Sequence, residues 1–154
     1  MRPEFHILLI EDSRSDVKII ERALAEGNVP HRLTVLCDGS HALEYLIRLA
    51  DPDAEAETGE RLEPDLILLD LNLPGLDGCQ VLTRIKTHPV LRALPVVVLT
   101  TSRSDDDIYQ TYQAGANSFI QKPAEYPSYR DLVQTLRTYW HETAIRPRLT
   151  RPPA

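Results

Sequence analysis

The chain alternates between two hydrophobic periods. "HILLI" (6–10) is a short apolar run and predicts a buried strand. "SRSDVKIIERALAEG" (13–27) follows, with Val17, Ile20 and Leu24 at helical spacing, serines before them and Gly27 as a stop. "HRLTVL" (31–36) alternates and predicts a second strand. The Asp38-Gly39 turn then opens a helix with Ala42, Leu43, Leu46 and Leu49 on one face. "PDLILLD" (64–70) predicts a third strand, ended by Pro74, Gly75 and Gly78 ahead of a helix carrying Val81, Leu82 and Ile85. "PVVVLT" (95–100) and "NSFIQ" (117–121) predict strands four and five. Between them "SDDDIYQTYQAG" (104–115) has the acid-rich first turn of a helix and a closing glycine. "YPSYRDLVQTLRTYW" (126–140) predicts the last helix, with Leu132, Leu136 and Tyr139 or Trp140 buried.

Five short apolar strands alternating with five helices imply an α/β fold, a doubly wound parallel sheet covered on both faces. The strand order 2-1-3-4-5 places strands one and three side by side where the winding reverses, and ligands sit at the carboxyl ends of strands at such a point. The domain is expected over 1–142, with an acidic loop insertion at 51–63. A tail over 143–154 has three prolines and is too short for an output domain.

Composition narrows the function. The chain has 154 residues, 42% of them hydrophobic and 26% charged, the balance of a soluble globular domain. No run is long and apolar enough for a membrane span or a signal peptide, so a cytoplasmic protein is expected. The net charge is −6, of which residues 51–63 supply −5, with six acids and one arginine. This segment reads as a solvated loop. No basic stripe for nucleic acid exists, and Cys37 and Cys79 form neither a disulfide framework nor a zinc site.

The strand ends carry the chemistry. Strand one ends in Glu11 and Asp12, strand three in Asp70, strand four in Thr100 and Thr101, and strand five runs into Lys122-Pro123. One acid could be a helix cap; three carboxylates, a hydroxyl and a lysine converging on one sheet edge form a site. At ~4 Å and an effective dielectric of ~20, each carboxylate pair repels by about 4 kcal/mol. Lys122 and a divalent cation would together neutralise Glu11, Asp12 and Asp70. All-oxygen ligation with open positions suits Mg²⁺ (or Mn²⁺) with a phosphate partner. An oxygen nucleophile beside such a metal and a lysine can accept a phosphoryl group.

"LLIEDS", "DLILLDLNLPGLDG", "PVVVLTTS" and "NSFIQKP" resemble the receiver domain of two-component response regulators, the flavodoxin-like fold of the chemotaxis regulators, over about residues 4 to 140. The resemblance implies that Asp70 takes a phosphoryl group from the phosphohistidine of a sensor histidine kinase. It implies a phosphoacceptor that assists its own phosphorylation and dephosphorylation rather than an enzyme with a separate substrate. Glu11 and Asp12 match the acidic metal-binding pair, with Asn72 giving its backbone carbonyl. Thr100 matches the switch hydroxyl, Thr101 the small residue after it, and Phe119 the aromatic switch position. Lys122 matches the family's lysine, with a cis peptide to Pro123 implied. Glu11 stands where many receivers have Asp. The long loop before strand three, "DLNLP", "VVVLTTS", "DDIYQTYQAGANSFI" and the "YW" ending are similar to stand-alone regulators that partner bacterial phytochromes.

Two rivals are weaker. A phosphatase of the haloacid dehalogenase type wants a second Asp two positions after the nucleophile, and Asn72 stands there. A pseudo-receiver, a binding module that is never phosphorylated, would normally lose Asp70, Lys122 or an acid, and none is lost. A dinucleotide-binding fold is excluded because "LLIEDSRSD" has no glycine. Signal would leave by contact with a downstream protein. Seven of the nine aromatic residues follow residue 100, and with Asp105, Asp106, Asp107, Lys122, Arg130 and Arg137 they suggest a homodimer through helix four, strand five and helix five.

Overall fold

The computed structural model describes residues 4–27, 30–54 and 63–149. Its elements are β1 (Phe5–Ile10), α1 (Arg14–Glu26), β2 (His31–Leu36), α2 (Gly39–Ala50), β3 (Leu66–Leu69), α3 (Gly78–Thr87), β4 (Val96–Thr100), α4 (Asp105–Gln113), β5 (Ser118–Gln121) and α5 (Tyr126–Leu136). All strand pairs are parallel and the order is β2-β1-β3-β4-β5, as the pattern predicted.

The continuous apolar runs follow from burial on both faces. Successive side chains of a strand point to opposite sides. Leu8 and Ile10 of β1, with Ile67 and Leu69 of β3, pack under α2 and α3 against Leu46, Val81 and Ile85. Ile7 and Leu9, with Leu66 and Leu68, pack under α1 and α5 against Ile20, Leu24 and Val133. Every residue of β1, β3 and β4 is buried, so the three central strands cannot alternate apolar with polar.

Side-chain caps start the first four helices. Ser13 accepts the amide of Asp16, Asp38 that of His41 and Ser104 that of Asp107. Asp77 and Gln80 form a reciprocal capping box at α3. Gly78 permits the return from β3: a Cβ there would lie 2.3 Å from the Asp70 carbonyl oxygen.

The last helix differs from expectation. It buries Tyr129, Val133 and Leu136, while Leu132 is half-buried and Tyr139 is 53% exposed. Leu136 is buried as read, but the stripe runs through Val133 and Tyr129 in place of Leu132, and of Tyr139 and Trp140 it is Trp140 that is half-buried. Beyond Leu136 the chain widens into a π-helical stretch (Arg137–Thr143), closed by Ala144 N–H donating to the Tyr139 carbonyl. This puts His141 against Phe5, ring centroids 5.1 Å apart. The tail then crosses the amino-terminal sheet edge. Arg146 Nε pairs with Asp65 at 3.0 Å, its Nη1 donates to the Trp140 carbonyl, and the Leu149 amide donates to Glu63. The solvated loop expected at 51–63 falls mostly outside the described residues; its first part is a turn in which Asp51 accepts the Asp53 amide.

Candidate functional site

Glu11 and Asp12 directly follow β1, and Asp70 directly follows β3, the two strands adjoining at the reversal. Glu11, Asp12 and Asp70 each offer an oxygen within 4.8 Å of the others. Glu11 and Asp70 are buried, and Asp12 is exposed. Two buried acids and one open acid are a hard oxygen donor set with room for water, which fits a divalent cation of the Mg²⁺ or Mn²⁺ kind.

Lys122 enters from the end of β5. Its Nζ lies 3.0 Å from Glu11 Oε2, 3.3 Å from Asp70 Oδ2 and 2.7 Å from Asp16 Oδ2. Burial works against the lysine's charge, but hydrogen bonds to Asp16 and Glu11 more than offset it, and its pKa lies above the ordinary value. Glu11 is raised as well, for the opposite reason: burial pushes its carboxyl up to about 7, and the Lys122 hydrogen bond only partly opposes this.

Asp70 Oδ1 accepts the Asn72 amide at 3.2 Å. Thr100 ends β4 fully buried, and its hydroxyl oxygen accepts the Ser102 amide at 3.4 Å. Thr101 is exposed beside it. Phe119 is half-buried on β5 and packs against the α2–α3 core; its amide donates to the Tyr112 hydroxyl at 3.1 Å. The Lys122–Pro123 bond is trans, correcting the cis form expected from the resemblance. Trans is the ordinary state of a prolyl amide, favoured by about 0.5–1 kcal/mol.

Two groups were missed in the sequence. Asp16 has the shortest contact to Lys122, yet read in isolation it is one more acid in the first turn of a helix. Asp107 accepts from Ser102 Oγ at 2.6 Å and so ties the Thr100 loop to α4. The aromatic set also needs correction. Tyr129 is core, and Lys122 is committed to the site, so neither serves a surface. Tyr109, Tyr112 and Tyr139 remain exposed.

Residues 7–137 match the family model described as response regulator receiver domain. The chain is 39% identical over 141 residues to response regulator Rcp1 of Synechocystis sp., covering 92% of each. It is 43% identical over 136 residues to a probable methanogenesis regulatory protein, FilR2, of Methanothrix harundinacea, covering 88% of this chain and 83% of that one. The crystal structure of the phosphorylated cyanobacterial phytochrome response regulator RcpA superposes with a TM-score of 0.83 at 40% identity, over 94% of this chain and 99% of that one. The Mn²⁺-bound form of Rcp1 gives 0.80 at 37% identity, with the same coverage of each.

Proposed function

Since the chain belongs to the response regulator receiver domain family, we propose that it is a phosphoacceptor of two-component signalling, charged on Asp70 by a phytochrome-type sensor histidine kinase. The observation that carries this is the buried Asp70 carboxylate, held by the Asn72 amide and Lys122 within an acidic cluster that faces open solvent through Asp12. The likeness to solved structures of regulators named for phytochrome supports the choice of kinase.

Glu11, Asp12, Asp70 and the Asn72 carbonyl would hold Mg²⁺ or Mn²⁺. When bound, the cation offsets the acids' mutual repulsion and draws charge from the phosphoryl oxygens. Asp70 supplies the attacking oxygen: its bond to phosphorus forms as the phosphohistidine P–N bond breaks, and the imidazole leaves with the electron pair. Lys122 gives its ammonium to the transferred oxygens, and Thr100 its hydroxyl. The same groups then govern loss of the phosphoryl group to water, so the protein takes part in its own phosphorylation and dephosphorylation. A phosphatase would need an acid/base where Asn72 stands.

The signal passes to a downstream protein by contact, in the cytoplasm. Among the described residues no helix is long and apolar enough to cross a membrane. A homodimer through α4, β5 and α5 uses exposed Tyr109 and Tyr112 with the acids of α4 and Arg130.

Intact-mass measurement after incubation with acetyl phosphate and Mg²⁺ tests the assignment. The parent gains one phosphoryl group and Asp70→Asn gains none. A variant that is still phosphorylated would place the acceptor elsewhere.

A further inference from the structure

A lysine ammonium has three donors. Around Lys122 Nζ stand three carboxylates: Asp16 at 2.7 Å, Glu11 at 3.0 Å and Asp70 at 3.3 Å. The shortest contact goes to the acid furthest from the chemistry. Asp16 is fixed in the first turn of α1, its amide bonded to the Ser13 hydroxyl, where the helix end favours a negative charge. Its side chain is 24% exposed, so solvent screens the pair only partly.

We propose that Asp16 is a positioning residue that restrains phosphorylation of this protein by holding Lys122 back from the incoming phosphoryl group. The inference rests on Asp70 being the phosphoacceptor.

Two effects act in the same direction. The phosphoryl oxygens need the lysine's donors, and its closest ion pair must loosen to release one. Asp16 also changes the charge of the site. Glu11, Asp12 and Asp70 are neutralised by Lys122 and a divalent cation; a fourth carboxylate leaves the loaded site at −1. Every phosphoryl donor is itself an anion and meets that charge on approach. With acetyl phosphate, the Asp70 oxygen bonds to phosphorus, the acetyl O–P bond breaks and acetate leaves with the electron pair. Asp16 touches none of these atoms.

The test is the rate of phosphorylation by acetyl phosphate at saturating Mg²⁺, followed by intact mass across a salt series. Asp16→Asn keeps the shape and removes the charge; Asp16→Ser removes the charge with a smaller side chain, should the amide pack poorly. Either is expected to react faster by about threefold or more, since one unit charge near the site is removed. Asp16→Glu restores the parent's rate. Salt screens like charges, so it accelerates the parent more than the neutral variants. A phosphorylated parent whose Asn and Ser variants are no faster overturns the restraint alone. Variants that are faster but equally salt-sensitive overturn it as well, since a structural role would give that result. A parent that takes no phosphoryl group overturns the acceptor assignment, and the restraint with it.

Discussion

The backbone amide of Lys122 donates to the carbonyl of Thr100 at 2.7 Å. One hydrogen bond thus fixes the lysine and the buried hydroxyl at the same end of the sheet. It continues the parallel register in which Thr100 pairs with Gln121. A shift at Thr100 is therefore felt at β5, which carries Phe119, and at α4 through Ser102 and Asp107.

That connection gives the first prediction. Beryllofluoride, an analogue of the phosphoryl group, draws the Thr100 hydroxyl inward and turns the Phe119 ring into the space left. Phe119 has no hydroxyl to bury, so the inward state strands no donor. Structures with and without the analogue show both groups moved; a ring and hydroxyl that stay in place would separate Phe119 from the switch.

The second concerns the metal. Asp12 is the exposed acid of the cluster, so its loss opens the metal's coordination without opening the core. Asp12→Ala is expected to weaken Mg²⁺ or Mn²⁺ by about tenfold or more, at least the loss seen when a partner behind the ligands is removed. It slows phosphorylation accordingly. Calorimetric titration measures the affinity, and a variant that binds as the parent does would move the cation off Asp12.

The third concerns association. Light scattering over a concentration series is expected to show a dimer, strengthened by beryllofluoride, and Tyr112→Ala is expected to weaken it. Tyr112 is 48% exposed, and its hydroxyl accepts the Phe119 amide, which links the surface to β5. A monomer in both states at tens of micromolar would leave the exposed tyrosines as a docking face for the kinase.

The fourth is a pH dependence far from the site. His6 is buried on β1, with Nδ1 3.0 Å from the Glu63 carbonyl and Nε2 2.9 Å from the Thr34 hydroxyl. The carbonyl can only accept, so Nδ1 carries the proton and Nε2 accepts from Thr34. Burial, the largest effect, holds the ring's pKa below its ordinary 6.5. The unfolded chain therefore binds the proton first, and stability falls as pH drops below about 6.5. Denaturant titrations of the parent and His6→Gln at several pH values are expected to differ in this slope, the variant's being flatter. Parallel slopes would remove His6 from the effect.

The elements and their order could be read from the sequence because each rests on a local cause. Three central runs too apolar to alternate must be buried on both faces, and five such strands separated by helical repeats have few right-handed windings open to them. Their ends then fall on one edge, which is why Glu11, Asp12, Asp70, Thr100 and Lys122 could be placed together before any coordinate was known. Pairwise contact could not be read this way. Asp16 and Lys122 lie 106 positions apart, and a charge in the first turn of α1 reads the same whether it caps a helix or grips a lysine.

The tail shows the same division. No hydrophobic period marks residues 143–149, because Arg146 is held by Asp65 and the Trp140 carbonyl, and the Leu149 amide by Glu63, rather than by a repeating face. Periodicity and strand-end chemistry are properties of a short stretch of chain, so the sheet, its winding and the acids at its edge follow from the order of residues alone. Which face of α5 is buried, where the tail docks and which carboxylate holds Lys122 most closely were decided only in the tertiary structure. Each depends on contacts between groups remote in sequence, and the three carboxylates around Lys122 differ in distance by only 0.3 Å from one to the next, from 2.7 to 3.0 to 3.3 Å.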